Sequence, residues 1–352
     1  MGVESKSTEK RHRFAGQRCR LHVAESRLER TMVHFLGYIG ARKIALLFSG
    51  QGAQQVGMGK DLAQRHAVAA NLFAQADRLL GRSLSHIAFD APLEELTQTA
   101  NCQPALYVHG LALLKVLKEE AGDFPITACA GLSLGEFTAH AAAGTFSFET
   151  GLQLVALRSQ AMQDACRQTH GTMAACVGGQ EAQVRALAAR TGVDIANLNA
   201  PGQIVLSGEQ ARIEEAIALA KEYGVRRAVM LTVDGAFHSR LMAGAETRLR
   251  PALERAEIQA PQNLVIANVT AQPADTPEKV RETLARQVTG SVRWTESINY
   301  LLDEAGCELF LELGPGGILA GLVNRIRKGV EVVSVSDAAS LEAAARGGAR
   351  SW

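Results

Sequence analysis

Gly131-Leu132-Ser133-Leu134-Gly135 sets a serine between two glycines in a G-x-S-x-G pattern. Small residues on both sides allow a sharp strand-to-helix turn that projects the hydroxyl, and free N–H groups at the start of the following helix can meet a developing oxyanion. The chemistry this suits is acyl transfer through an ester on Ser133. A five-residue pattern recurs by chance, so a glycine-rich helix cap with a structural Ser133 stays open at this point. A serine near its ordinary protonation state also needs a base. Of the nine histidines, His12, His22 and His34 fall in an atypical leader, and His66, His86, His109, His140 and His170 fall on or beside helical patterns. His238 differs, because Asp234-Gly235-Ala236-Phe237-His238-Ser239 joins an expected strand to an expected helix. Such a junction holds a side chain over a sheet edge; a histidine capping the next helix is the plainer alternative.

The elements that must position these two residues follow from the apolar pattern. Lys43 to Ser49 reads as a short buried strand, followed by a loop with glycines at 50, 52, 57 and 59. Helical patterns cover residues 60–80 and 103–121, and Thr127 to Ala130 forms a second strand that enters the serine turn, with a helix from Glu136 beyond it. That order predicts an α/β fold with a parallel sheet and a ligand site at the carboxyl ends of its strands. Residues 171–231 have their own rhythm: a strand at Thr172–Val177, a helix at Gln180–Arg190, strands at Val193–Leu198 and Gln203–Ser207, a helix at Glu209–Tyr223 and a strand at Arg227–Leu231. The order β-α-β-β-α-β is ferredoxin-like. The expected organisation is a discontinuous core of residues 41–170 and 232–340 with 171–231 inserted as a subdomain, and a substrate cleft between the two. In the second half of the core, a helix at Ser239–Arg255, a strand at Leu264–Asn268, a helix at Pro277–Val288, an amphipathic stretch at Thr295–Ala305 and strands at Glu308–Glu312 and Glu331–Val335 are expected. Residues 341–352 turn to Ala, Gly and Arg and are expected to fray.

Composition narrows the function classes. The chain has 352 residues, 47% of them hydrophobic, which suffices for a substantial core without metal or disulfide staples. Its 37 basic and 36 acidic side chains give a net charge of +1, so nothing calls for a nucleic-acid partner. Six cysteines without a C-x-x-C pair are too sparse for a disulfide framework, and Cys102, Cys129, Cys166, Cys176 and Cys307, set among apolar residues, read as buried thiols of a reducing compartment. No apolar run reaches the roughly 18 residues that cross a bilayer, so a cytoplasmic protein without a membrane partner is expected. Residues 1–40 hold eight Lys/Arg and four Asp/Glu. Their acidic residues Glu4, Glu9, Glu25 and Glu29 argue against a transit peptide and for a disordered extension, or for a true start at Met32.

Several separated motifs together resemble the malonyl-CoA:acyl-carrier-protein transacylases, the acyltransferase family of fatty-acid and polyketide synthesis. They are Phe48-Ser49-Gly50-Gln51-Gly52-Ala53-Gln54, Gly131-Leu132-Ser133-Leu134-Gly135-Glu136, Arg158 with Met162, Asn199-Ala200-Pro201-Gly202-Gln203, Gly235-Ala236-Phe237-His238-Ser239, Val292-Arg293-Trp294 and Glu312-Leu313-Gly314-Pro315-Gly316. The resemblance runs from about Lys43 to Val335, in family order and spacing, and implies a hydrolase-like α/β core with a ferredoxin-like insert. It departs at Leu132, where many members have histidine, and at Ser49, where many have proline.

The resemblance implies a role for each matching residue. Ser133 corresponds to the nucleophile that becomes the acyl ester, and His238 to its base. The backbone N–H groups of Gln51 and Leu134 would form the oxyanion hole. Arg158 corresponds to the arginine that holds the malonyl carboxylate, a task suited to a planar fork that stays charged when buried; without the other motifs it would read as a surface arginine. Gln287 corresponds to a glutamine that supports the histidine in place of an acidic third member. Phe237, with Leu132 and Asn199, would shape the pocket and favour malonyl over methyl-branched groups, by only ~1 to 3 kcal/mol. Malonyl-CoA and a phosphopantetheinylated acyl carrier protein are then the expected substrates, with no bound cofactor or metal and a monomeric enzyme. A thioester hydrolase and an idle scaffold of a lipid or polyketide assembly are the rival readings.

Overall fold

The computed structural model describes residue 35 and residues 37–346. Most of the expected leader, with His12, His22, Met32 and His34, lies outside the described residues, as does 347–352. Among the described residues the nine strands in chain order are β1 (Ile44–Phe48), β2 (Ala128–Gly131), β3 (Gly171–Val177), β4 (Asp194–Ala200), β5 (Gln203–Glu209), β6 (Arg227–Met230), β7 (Leu264–Val265), β8 (Leu309–Leu313) and β9 (Glu331–Val335). Five of them form a parallel sheet in the order β7-β2-β1-β8-β9. The sequence Ile-Ala-Leu-Leu-Phe of β1 is buried throughout because the sheet is covered on both faces. Ile44, Leu46 and Phe48 pack into one apolar cluster and Ala45 and Leu47 into the other, as the two-residue period of a strand requires.

The other four strands form an antiparallel sheet in the order β4-β5-β3-β6. Counted within this unit the order is 2-3-1-4, the ferredoxin-like arrangement expected from the element order. Helices Glu181–Thr191 and Gln210–Leu219 bury Val184, Leu187, Ile213 and Ala216 against one face of it in a third core. Met173, Ala196 and Val205 instead join the large cluster of the parallel-sheet core. The Val292 strand-like segment ties the two sheets together: its N–H donates to Ala196 O at 2.7 Å and its carbonyl accepts from Leu198 N at 2.9 Å. Trp294, fully buried, starts the next helix.

Some boundaries differ from the expectation. The segment after Ser340 does not fray within the described residues, since Ala338–Ala345 is a helix. Asp337 caps it through Ser340 N–H at 2.7 Å, and Leu341, Ala344 and Ala345 are buried in the core. The expected leader also ends inside the fold, where buried Phe35 meets Phe124 edge-on at 5.1 Å. The strand expected over Leu264–Asn268 pairs with β2 only at Leu264 and Val265. The chain then bridges back through Ile266 and Pro273, which frees Asn268 for another task.

Candidate active site

The serine turn is built by steric necessity. β2 delivers the chain at Gly131, and the Leu134–Ala142 helix starts directly after Ser133, whose φ of 55° and ψ of −108° lie where few non-glycine residues go. Such strain persists only where the surroundings enforce it. A Cβ on Gly131 would run into the backbone of Gly135, and a Cβ on Gly135 into the carbonyl of Phe48 on β1. Asn268 pins the turn from the side: its Oδ1 accepts from Ser133 N–H at 2.7 Å and its Nδ2 donates to Gly131 O at 2.8 Å.

His238 Nε2 lies 2.7 Å from Ser133 Oγ, and its Nδ1 lies 2.8 Å from the backbone carbonyl of Gln287. A carbonyl can only accept, so Nδ1 carries the proton and Nε2 is free to take the serine's. Burial, with Arg158 beside it, lowers the imidazole to about 4, which keeps it neutral at physiological pH. Asp234 plays no part in orienting the ring; its carboxylate accepts from Thr99 Oγ1 at 3.3 Å. The contact from Gln287 to the histidine is therefore through its main chain. Its side chain goes elsewhere: Oε1 accepts from Arg158 Nη2 at 2.8 Å, and Nε2 donates to Ser133 O at 2.8 Å and to Glu136 Oε2 at 2.6 Å.

Arg158 is fully buried on the Phe148–Gln168 helix, which excludes the surface reading. Its Nη1 donates to Gln103 Oε1 at 2.6 Å and its Nη2 to Ser133 Oγ at 3.1 Å, while the Phe137 ring lies 5.5 Å from the guanidinium carbon. Burial lowers it to about 10, opposed by the nearby Glu136, so it remains a cation. All its hydrogen-bond acceptors are neutral, and Nε has none. A buried cation in this state favours an anion on its fork, and it also favours the ionised form of the serine oxygen it touches.

Ser133 and His238 open onto a cavity of about 770 Å³. Gln51, Leu132, Phe237 and Asn199 line it, as do Gln103, Met162 and Asn197. Asn199 Oδ1 is buried without a partner. Leu134 faces the core, yet as the first helical residue it holds an N–H that the helix cannot use. Arg158 lies behind this lining and is joined to it through Gln103 and Ser133. Among the described residues no group of three or more His, Cys, Asp or Glu is placed to hold a metal ion. Sequence reasoning missed Asn268, Gln103 and the role of Glu136. Their bonds to Ser133, Arg158 and Gln287 span 135, 55 and 151 residues, and no local pattern signals such pairings.

Comparisons with known proteins give the family. The family described as acyl transferase domain matches residues 45–347. A malonyl CoA-acyl carrier protein transacylase of Bacillus subtilis is 40% identical over 307 residues, covering 86% of this chain and 96% of that protein. The chain belongs to the malonyl-CoA:acyl carrier protein transacylase family. A polyketide-biosynthesis malonyl CoA-acyl carrier protein transacylase of the same organism is 42% identical over 297 residues, covering 82% of this chain and 99% of the relative. Among solved transacylase structures, an acyl carrier protein S-malonyltransferase from Vibrio cholerae superposes with a TM-score of 0.82 at 39% identity, covering 86% of this chain and 99% of that one. A malonyl-transacylase solved in complex with a type II polyketide acyl-carrier protein gives the same TM-score at 36% identity, over 86% and 98%.

Proposed function

We propose that the protein transfers a malonyl group from malonyl-CoA to the phosphopantetheine thiol of an acyl carrier protein through an ester on Ser133. The observation that carries this reading is the pairing of a Ser133–His238 dyad with a buried arginine that donates to the serine oxygen itself and has no carboxylate partner. Malonyl-CoA binds with its free carboxylate on Arg158, taking the place of neutral acceptors such as Gln103 Oε1. Ser133 Oγ attacks the thioester carbonyl as its proton passes to His238 Nε2, and the oxyanion is received by the N–H groups of Gln51 and Leu134. The C–S bond breaks, the coenzyme A sulfur takes the proton from His238, and the malonyl ester remains. The carrier's thiol then gives its proton to His238, attacks the ester, and Ser133 recovers its hydrogen as the malonyl thioester leaves.

In this reading Phe237 and Leu132 bound the acyl pocket against methyl-branched groups, and Asn199 lies on the same wall. No described helix is long and apolar enough to cross a membrane, and the enzyme acts in the cytoplasm as a monomer, with no cofactor beyond its two substrates. Relatives named simply as malonyl CoA-acyl carrier protein transacylases, at 34 to 40% identity, support fatty-acid synthesis as the destination. Those named for polyketide biosynthesis, at 41 and 42%, support a second destination with the same chemistry. Intact-protein mass after mixing with malonyl-CoA, repeated with a phosphopantetheinylated carrier, tests the reading. A malonyl adduct that depends on Ser133 and moves to the carrier is expected. An adduct lost to water equally fast without carrier makes the protein a hydrolase, and a folded protein that no acyl-CoA modifies is a scaffold.

A further inference from the structure

Beneath the nucleophile lies a carboxyl group that the reaction as described does not use. Glu136 is fully buried in the first turn of the helix that Ser133 starts. Its two oxygens have opposite surroundings. Oε2 accepts from Gln287 Nε2 at 2.6 Å and from Asn268 N–H at 3.1 Å, whereas Oε1 is buried with no partner at all. Gln287 and Asn268 are the residues that hold the site together. The first bonds Arg158 and Ser133 O by its side chain and His238 by its carbonyl; the second brackets the Ser133 turn. Glu136 is thus one bond removed from every working part.

An unsolvated carboxylate oxygen is costly, and a proton on Oε1 removes that cost. Opposing this are the hydrogen bonds from Gln287 and Asn268 and the charge of Arg158, which all favour the ionised form. Arg158 is the buried charge on the elements that pack against this helix. Burial keeps His140 on the same helix, His109 on the Thr99–Ala121 helix and His238 neutral, and it holds the thiols of Cys102, Cys129 and Cys166 and the phenol of Tyr107 protonated. Strands β1 and β7 bring no ionisable side chain. Lys115, Lys118, Glu119 and Glu120 of the Thr99–Ala121 helix reach solvent, as do Glu149, Asp164 and Arg167 of the Phe148–Gln168 helix.

These positions make two anions rivals for one cation. We infer that Glu136 is a positioning residue that serves as the stand-in counter-charge of Arg158 in the empty site and takes up a proton on Oε1 when a substrate carboxylate arrives on the guanidinium. The neutral carboxyl keeps its bonds from Gln287 and Asn268, so the turn and the arginine stay in place while the charge is exchanged. An acyl group without a carboxylate brings no rival anion and leaves Glu136 as it was. Selection of a carboxylated acyl group is then linked to one proton. Burial sets the free Glu136 at about 7, so the linkage becomes visible above neutrality: malonyl capture requires a proton from solvent there, and acetyl capture does not.

The inference rests on the malonyl reading of Arg158, and the test separates the two. The ratio of kcat/KM for malonyl-CoA over acetyl-CoA is measured across neutral and alkaline pH for the wild type and for Glu136→Gln, whose amide oxygen can accept the same two bonds and whose charge is fixed at zero. In the wild type the ratio falls as pH rises above about 7, by up to tenfold per pH unit; in Glu136→Gln it stays level. A wild-type ratio independent of pH, with the malonyl adduct on Ser133 still formed, overturns the proton linkage and leaves the transferase reading intact. So does a Glu136→Gln enzyme that keeps the wild-type slope. Absence of the malonyl adduct is failure of the transferase reading instead. Should Glu136→Gln fail to fold, calorimetry of malonyl-CoA binding to Ser133→Ala in buffers of different ionisation enthalpy decides: proton uptake with malonyl-CoA and none with acetyl-CoA supports the inference, and no uptake with either ends it.

Discussion

At the scale of the residue, the site is a small set of groups whose protonation states are set by burial. His238 is lowered to about 4 by burial and by the Arg158 charge, against an ordinary value of 6.5. If the neutral ring is the base, as proposed, kcat/KM for malonyl-CoA should stay level well below pH 6.5 and decline only on approaching the lowered value. An acid limb found near 6.5 in a pH–rate profile would contradict the buried, cation-flanked ring. Arg158→Ala removes one of the two causes, so in that variant the limb should move toward neutrality. On the proposed reading the same change removes charge-assisted bonds to the acyl carboxylate, which are worth ~1.5–3 kcal/mol each. Malonyl-over-acetyl preference should drop by roughly 10- to 150-fold, measured as the ratio of the two kcat/KM values. A variant that keeps its preference would show that the carboxylate is held elsewhere. The Ser133 and His238 positions were readable as types and spacings, and Arg158 only through the family resemblance. Gln287 was readable as a position only, because a main-chain carbonyl that orients a histidine leaves no trace in the side chain at that position.

At the scale of the element, much of what identified the chain in sequence proves to be scaffolding. The Asn199-Ala200-Pro201-Gly202-Gln203 run is the hairpin between β4 and β5, with Gly202 at a φ of 70°. Glu312 ends β8 under the start of the Ile318–Ile326 helix, where its carboxylate accepts from Leu319 N–H at 2.8 Å, Ala320 N–H at 3.0 Å and the Ser334 hydroxyl at 2.8 Å. An acidic group at a helix N-terminus satisfies donors the helix leaves open and meets the positive end of its dipole. Glu312→Ala should therefore destabilise the fold by about 3 kcal/mol, or roughly 5–10 °C in Tm, with Glu312→Gln recovering part of it. Calorimetric melting checks this, and an unchanged Tm would mean the helix start needs no such clamp. Gly314 shows the same close fit, since a Cβ there would run into the Ser49 side chain.

At the scale of the whole molecule, two sheets of different kind meet around one cavity. The parallel sheet places Ser133, the proposed nucleophile, at the end of β2. The antiparallel sheet supplies Met173, Asn197, Asn199 and Val205 to the opposite wall. The interior also carries ionisable groups largely shielded from water. His109, His140 and His238 are lowered to about 4, 3 and 4 by burial. In the unfolded chain each would bind a proton near 6.5, so the unfolded state gains protons first as pH falls. Stability should then decline progressively from about pH 6.5 toward 4, steeply because three sites act together. Denaturation midpoints measured across that range test it; His140→Gln, on the helix that follows Ser133, should flatten part of the slope. A midpoint constant from pH 6.5 to 4 would mean that these rings are hydrated in the native state.

The sequence by itself determined the order of the strands, the serine turn, and the family, because each is written in local periods or in fixed runs of small residues; the short helices Leu84–Phe89 and Leu93–Thr97 and the helix Ile318–Ile326 were not expected from it. It also misjudged the two ends of the fold: Phe35 and the Ala338–Ala345 helix are held by packing against distant residues, which composition does not record. Only the tertiary structure decided what surrounds the reacting atoms. That Asn268 pins the turn, that Gln287 reaches His238 through its carbonyl, that Asp234 turns away and that Glu136 lies beside Arg158 all depend on chain segments far apart in sequence. A hydrogen bond of three ångströms is fixed by how whole elements pack, and a residue's own neighbours in the chain carry no information about which partner that packing will bring.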